Sequence, residues 1–168
     1  MDWLDRFYGK IIGLDTAPII YFIEEESYFD LVSLFFETLP EGNLRAVIST
    51  ITLLEVLVQP YRCGKRDLAE KYREILLYTD NSLTFPVSNG IADKTAELRA
   101  KYRIRTPDAI QVATALHGEA SIFLTEEIKK IDEHESLISH RARLLKGSSL
   151  KSFKTSIFLL CLKICNTI

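Results

Sequence analysis

The sequence predicts an α/β fold in which a parallel sheet is covered by helices on both faces. Three observations lead there. The runs IIGL and AVIS each pass directly into a helical repeat, and SIFLT resumes a strand after one. Strands that alternate with helices in this way form parallel sheets buried on both sides. A chain of 168 residues with 47% apolar residues is also long enough for one well-buried domain and short for two. No internal repeat or low-complexity segment interrupts the alternation.

Taken in order, Lys10 to Asp15 is a short apolar run ending in an acid, with Pro18 near the start of the helix that follows. That helix carries Ile19, Ile20, Phe22 and Ile23. A second helix is predicted over Tyr28 to Thr38, where Phe29, Val32, Phe35 and Phe36 recur at helical spacing, and PEGN ends it. The β-branched stretch Ala46 to Ser49 is the next strand. Ser49 or Thr50 can cap the helix behind it, and Pro60 is expected to stop that helix.

A polar-faced helix is expected over 65–79. Residues 83–87 read as an edge strand because Pro86 cannot donate to a ladder. Ser88 and Asn89 can cap a helix reaching Lys101. In RTPDAIQVATAL, Thr106 is the expected N-cap, Pro107 the first helical position and Asp108 a first-turn acid, with Gly118 placed to end the helix. Residues 121–125 form the last strand. Beyond Glu127 the pattern weakens, and no structure is assigned to 141–168.

A formal net charge of -2 supplies no global positive field for nucleic acid, so any such contact must be local. Cys63, Cys161 and Cys165 are odd in number and lack CxxC spacing, which argues against a disulfide framework or zinc site and fits a reducing compartment. The N-terminus lacks the basic-then-apolar order of a secretory signal. The apolar run Ser156 to Cys165 is broken by Lys163 and is about half of the roughly 20 residues a membrane span needs. The expectation is a cytoplasmic protein with no membrane association.

Open parallel sheets bind ligands beyond the carboxyl ends of their strands, so acids at those positions carry special weight. Asp15 closes the first strand, Glu55 lies in the helix after AVIS, Asp108 opens the RTPD helix, and Glu126 and Glu127 follow SIFLT. Clustered carboxylates suit hard divalent cations such as magnesium and manganese, which take a few protein oxygens and leave room for water and phosphate. Two such ions can activate a water and steady the leaving oxygen of a phosphodiester. Without a cation, two carboxylates about 4 Å apart repel by roughly 4 kcal/mol at an effective dielectric of 20.

Singly, most of these acids have simpler explanations. Asp108 favours a helix dipole by about 0.3 to 1 kcal/mol, Asp15 can cap a helix, and Glu126 and Glu127 can be a solvated helix start. Glu55 resists such treatment: it sits between Leu54 and Val56 in ITLLEVLV, and if buried it needs a cation, a proton or water. His117, His134 and His140 have no HExxH spacing, and GxSxG, GxGxxG and phosphate-loop motifs are absent, so nucleophilic catalysis by Ser or Cys is rejected. The run LRAKYRIR, if extended, can offer Arg103 and Arg105 to RNA phosphates and Tyr102 to a base; a solvated loop explains it equally well.

With these motifs in order, the sequence resembles the PIN-domain family over roughly residues 10 to 128. IIGLDTAPIIYFIE is similar to the family's first strand and acid, VISTITLLEVLVQP to its second strand and glutamate helix, RTPDAIQVATAL to its Pro-Asp helix, and IFLTEE to its final strand with trailing acid. The resemblance implies a three-layer α/β/α sandwich with a mainly parallel central sheet. It also implies a magnesium- or manganese-dependent ribonuclease, commonly the toxin of a VapC-type toxin–antitoxin pair.

By motif position, the implied catalytic and metal-holding acids are Asp15, Glu55, Asp108 and Glu127, bordered by Thr16, Thr125 and Glu126. The implied partners are RNA, a cognate antitoxin and a second copy of the chain. Two departures from the family pattern stand out. Thr-Asn-Asp is replaced by Thr125-Glu126-Glu127, so either glutamate can supply the last carboxylate, and no convincing return strand is visible over 129–168. A nuclease domain over 1–140 with a C-terminal extension over 141–168 is therefore expected. The alternative is a PIN-fold interaction module for RNA or protein that has lost catalysis.

Overall fold

The computed structural model describes residues 7–25 and 28–125 and the backbone of 158–161. Four short runs form parallel strands: β1 (Ile11–Leu14), β2 (Arg45–Ser49), β3 (Ser82–Phe85) and β4 (Ile122–Thr125). A fifth, β5 (Phe158–Cys161), pairs antiparallel with β4, and the sheet order is β3-β2-β1-β4-β5. The sequence shows no convincing strand beyond residue 129, and the structure corrects this. An open β4 edge presents unpaired backbone groups, and it is this tertiary demand, rather than any local period, that recruits a short apolar segment.

The connection from β1 to β2 carries α1 (Thr16–Ile23) and α2 (Phe29–Thr38), and that from β2 to β3 carries α3 (Thr50–Arg62) and α4 (Arg66–Tyr78). The chain then crosses back through α5 (Asn89–Tyr102) and α6 (Thr106–His117) to β4. Right-handed crossovers that run outward and then return place their helices on opposite faces of the sheet. The strand side chains follow this division. Ile12, Leu14, Ala46, Ile48, Ile122 and Leu124 enter the main core with residues of α1 to α4. Ile11 and Phe123 point the other way, toward Val112 and Ala115 of α6. The result is the expected three-layer sandwich.

Helix α6 lies directly against β1 because Gly13 has no side chain; a Cβ there would stand 2.4 Å from the Ala115 Cβ. Ser49 caps α3 as expected, accepting from Ile51 N at 3.2 Å, and Ser88 caps α5 through Ile91 N at 3.3 Å.

Three local expectations differ from the structure. Pro60 lies inside α3 instead of stopping it, because only one intrahelical donor is lost so near the end and Cys63 N still bonds Gln59 O at 3.0 Å. Thr106 is the first helical residue and Arg105 the N-cap, since the first backbone bond runs from Ala109 N to Arg105 O at 3.0 Å. The basic run is not extended: Arg99 and Lys101 occupy the last turn of α5, and Arg103 closes that helix in a left-handed conformation, φ 53°. Among the described residues, no helix is long and apolar enough to cross a membrane.

Candidate active site

The sheet order places a topological switch between β1 and β4: the connection leaving β1 covers one face and the connection arriving at β4 covers the other. Beyond the carboxyl ends of such neighbours a crevice opens, and side chains from both faces can reach it. Asp15 directly follows β1, and its backbone N–H donates to Leu124 O at 3.0 Å. It also caps α1, with Oδ1 accepting from Thr16 N at 2.7 Å. Thr125, the last residue of β4, donates its hydroxyl to Asp15 Oδ2 at 2.5 Å. Both Asp15 oxygens are thus engaged, one by a helix start and one by the adjacent strand end.

Glu55 arrives from α3 and is half-buried. Its Oε2 accepts from Thr16 Oγ1 at 2.5 Å and from Gln111 Nε2 at 3.0 Å. The apolar setting of Glu55 is therefore relieved by neutral donors, an option the sequence reading did not include. Asp108 lies in the first turn of α6, where Arg105 forks onto it: Nε reaches Oδ2 at 2.8 Å and Nη2 reaches Oδ1 at 3.1 Å. Arg105, expected at RNA phosphates, is committed to this ion pair.

The three acids share one electrostatic neighbourhood. Burial pushes the Asp15 carboxyl above the ordinary carboxylate range. The Thr125 hydroxyl and the Thr16 N–H pull it down, and the negative charges of Asp108 and Glu55 push it up again. Asp15 is thus a desolvated carboxylate under repulsion from two others, a setting that a cation would relieve. Hard carboxylate oxygens fit magnesium or manganese by type. Their present partners leave little ready for an ion: among the described residues, only Glu55 Oε1 has no hydrogen-bond partner, and no three His, Cys, Asp or Glu side chains converge as a ligand set. Glu126 and Glu127 lie outside the described residues.

Sequence reasoning missed Gln111 and Thr52. Gln111 is buried and one helical turn beyond Asp108; Thr52 is buried and one turn before Glu55. Their signal was available: a polar residue three positions from an acid, on an otherwise apolar helix face, is placed to bond what that acid bonds. Among the described residues, a cavity of about 220 Å³ lies elsewhere, against α6's far end and lined by Val47, Phe85 and His117. It contains none of the acids.

A doubly wound sheet with carboxylates gathered at its switch point is the architecture of an α/β protein with an acidic crevice. The PIN-domain model matches residues 12–133, and the chain belongs to the PIN-domain family. The fold is similar to that of VapBC2 from Rickettsia felis, solved on a promoter DNA fragment, with a TM-score of 0.58 and 22% identity over 71% of this chain and 89% of that one. A toxin–antitoxin complex from Klebsiella pneumoniae matches with a TM-score of 0.55 and 24% identity, covering 73% and 89% of the two chains. Mycobacterium tuberculosis VapC20, described as a Sarcin-Ricin loop cleaving toxin, matches with a TM-score of 0.53 and 17% identity, covering 66% and 85%. No curated protein matches the chain.

Proposed function

We propose that this protein is a magnesium- or manganese-dependent endoribonuclease and the toxin of a toxin–antitoxin pair. The observation that carries the reading is that Glu55 and Asp108, from two other elements, both act electrostatically on the buried Asp15 at the carboxyl end of β1. The family membership and the toxin–antitoxin proteins among its structural neighbours agree with it. Asp15, Glu55, Asp108 and Glu127 would hold the ion, with Thr16, Thr125 and Glu126 beside them. The bound ion supplies Lewis-acid activation of water and charge compensation at phosphate.

The chain's own residues do the remainder. Thr16 and Thr125 fix the directions of Glu55 and Asp15. Glu55, whose Oε1 is unpartnered among the described residues, is placed to take the proton of the attacking water. Arg103, exposed at the end of α5, is a basic residue that could meet flanking phosphate. The partners in this reading are RNA, a cognate antitoxin and a second copy of the chain, and the compartment is the cytoplasm. Leu54, Val58 and Tyr61 are exposed along α3 at helical spacing and offer apolar surface for either protein partner.

Purified protein should cut RNA with magnesium or manganese and stop with chelator. Full activity in Asp15→Asn or Asp108→Asn would refute the assignment. A second reading, a PIN-fold interaction module without catalysis, is favoured by the Arg105 fork that occupies both Asp108 oxygens. Manganese separates the two: a metal site raises the melting temperature on adding the ion and loses that rise in Asp15→Asn, whereas a non-binding module shows neither.

A further inference from the structure

We infer that Gln111 is the positioning residue of this site: its side-chain amide pins Glu55 through Oε2, directly and by way of Thr16, and so decides which carboxylate oxygen is left for chemistry. This rests on the nuclease reading above. Gln111 is 3% exposed, on the helix face that it shares with Ala115 one turn on and Asp108 one turn back. Its Nε2 stands 2.8 Å from Thr16 Oγ1, 3.0 Å from Glu55 Oε2 and 3.2 Å from Thr52 Oγ1.

An amide nitrogen has two protons, so three acceptors cannot be served equally. Thr16 spends its own hydroxyl proton on Glu55 Oε2 at 2.5 Å, which leaves its oxygen to accept from Gln111. The two shorter contacts then close a ring: Gln111 to Thr16, Thr16 to Glu55, and Gln111 to Glu55. Thr52, at the longest distance, is the alternative partner. The orientation of the amide is set by Glu55, because an ionised carboxylate only accepts and the nitrogen must face it. Two donors on one carboxylate oxygen hold the group in a single rotamer. The other oxygen, Oε1, has no partner among the described residues and stays available to a cation or a water. Groups that orient ligands in this way are worth roughly 10- to 100-fold in metal affinity.

The test uses the full-length chain and Mn2+ as the probe. Gln111→Met keeps the volume and removes the donors. Its Mn2+ dissociation constant, read by electron paramagnetic resonance of free ion, should rise about 10- to 100-fold over wild type. A folded Gln111→Met that binds Mn2+ as tightly as wild type overturns the inference while leaving the nuclease reading intact; wild type that does not bind Mn2+ overturns the reading itself. Should Gln111→Met not fold, Thr16→Val and Thr16→Ser decide: the valine variant should lose Mn2+ affinity and the serine variant keep it, and equal affinities in the two count against the ring. A metal-free measurement is independent of all of these. The side-chain NH2 resonances of Gln111 should move on Glu55→Gln, and unmoved resonances show that the amide does not hold that carboxylate.

Discussion

Thr125 Oγ1 donates to Asp15 Oδ2 at 2.5 Å across 110 residues of sequence, joining the ends of β4 and β1 where the sheet reverses its winding. Thr125 is buried, so the bond is shielded from competing water. Hydrogen bonds to a charged group contribute about 1.5 to 3 kcal/mol. Thr125→Val should therefore lower stability by roughly that amount in urea denaturation, and Thr125→Ser should recover most of it. Equal losses in the two variants would mean that the methyl group, not the hydroxyl, matters.

The Asp15 carboxyl is raised by burial and by its acidic neighbours, and the sign of the consequence is definite. A carboxyl with a folded pKa above its unfolded value binds more protons folded than unfolded, so its contribution to stability falls as pH rises from the ordinary value, 3.8, through the raised one. Metal-free Asp15→Asn should then be more stable than wild type at neutral pH, with the difference shrinking toward pH 4 and below. Asparagine remains an effective N-cap, so α1 should not be lost. Thermal melts of both proteins across pH, with chelator present, read this directly; a variant less stable than wild type at pH 7 contradicts it.

Arg105 and Asp108 form a partly exposed pair, with side chains 61% and 38% accessible. Such pairs contribute about 0 to 1 kcal/mol. Arg105→Met should barely change metal-free stability, yet it frees both Asp108 oxygens and should enlarge the melting-temperature rise produced by manganese. Arg103→Glu, at an exposed position without that pairing, should instead weaken RNA binding and flatten its dependence on salt by roughly one phosphate contact. Unchanged RNA binding in Arg103→Glu would remove that residue from the interface.

Gly13→Ala places a Cβ 2.4 Å from the Ala115 Cβ and 2.8 Å from the Phe123 ring. Neither neighbour is the free end of a flexible chain, so α6 must shift off the sheet. Overpacking of this kind costs about 1 to 3 kcal/mol. Because α6 also carries Asp108 and Gln111, the same shift should weaken manganese binding, which calorimetry on the folded variant would measure.

Local chemistry alone determined a good deal. The β-branched runs, the serine caps at Ser49 and Ser88, the Gly118 end of α6 and the placing of Asp15 and Asp108 at strand and helix junctions all follow from neighbours in the chain. So does the alternation that makes the sheet parallel. The misses were also local in kind: Pro60 is tolerated near a helix end, and Thr106 sits one position inside the helix it was expected to cap.

Only the tertiary structure decided which side chains meet. The crossover that returns from β3 to β4 on the opposite face brings Gln111 to Glu55 across 56 residues, and the parallel pairing of β1 with β2 brings Thr16 to Glu55 across 39. It leaves a β4 edge that β5 covers. The physical reason is that strand propensity and capping act within a few residues, whereas a carboxylate's partners are set by the order in which strands pair, which no local pattern encodes.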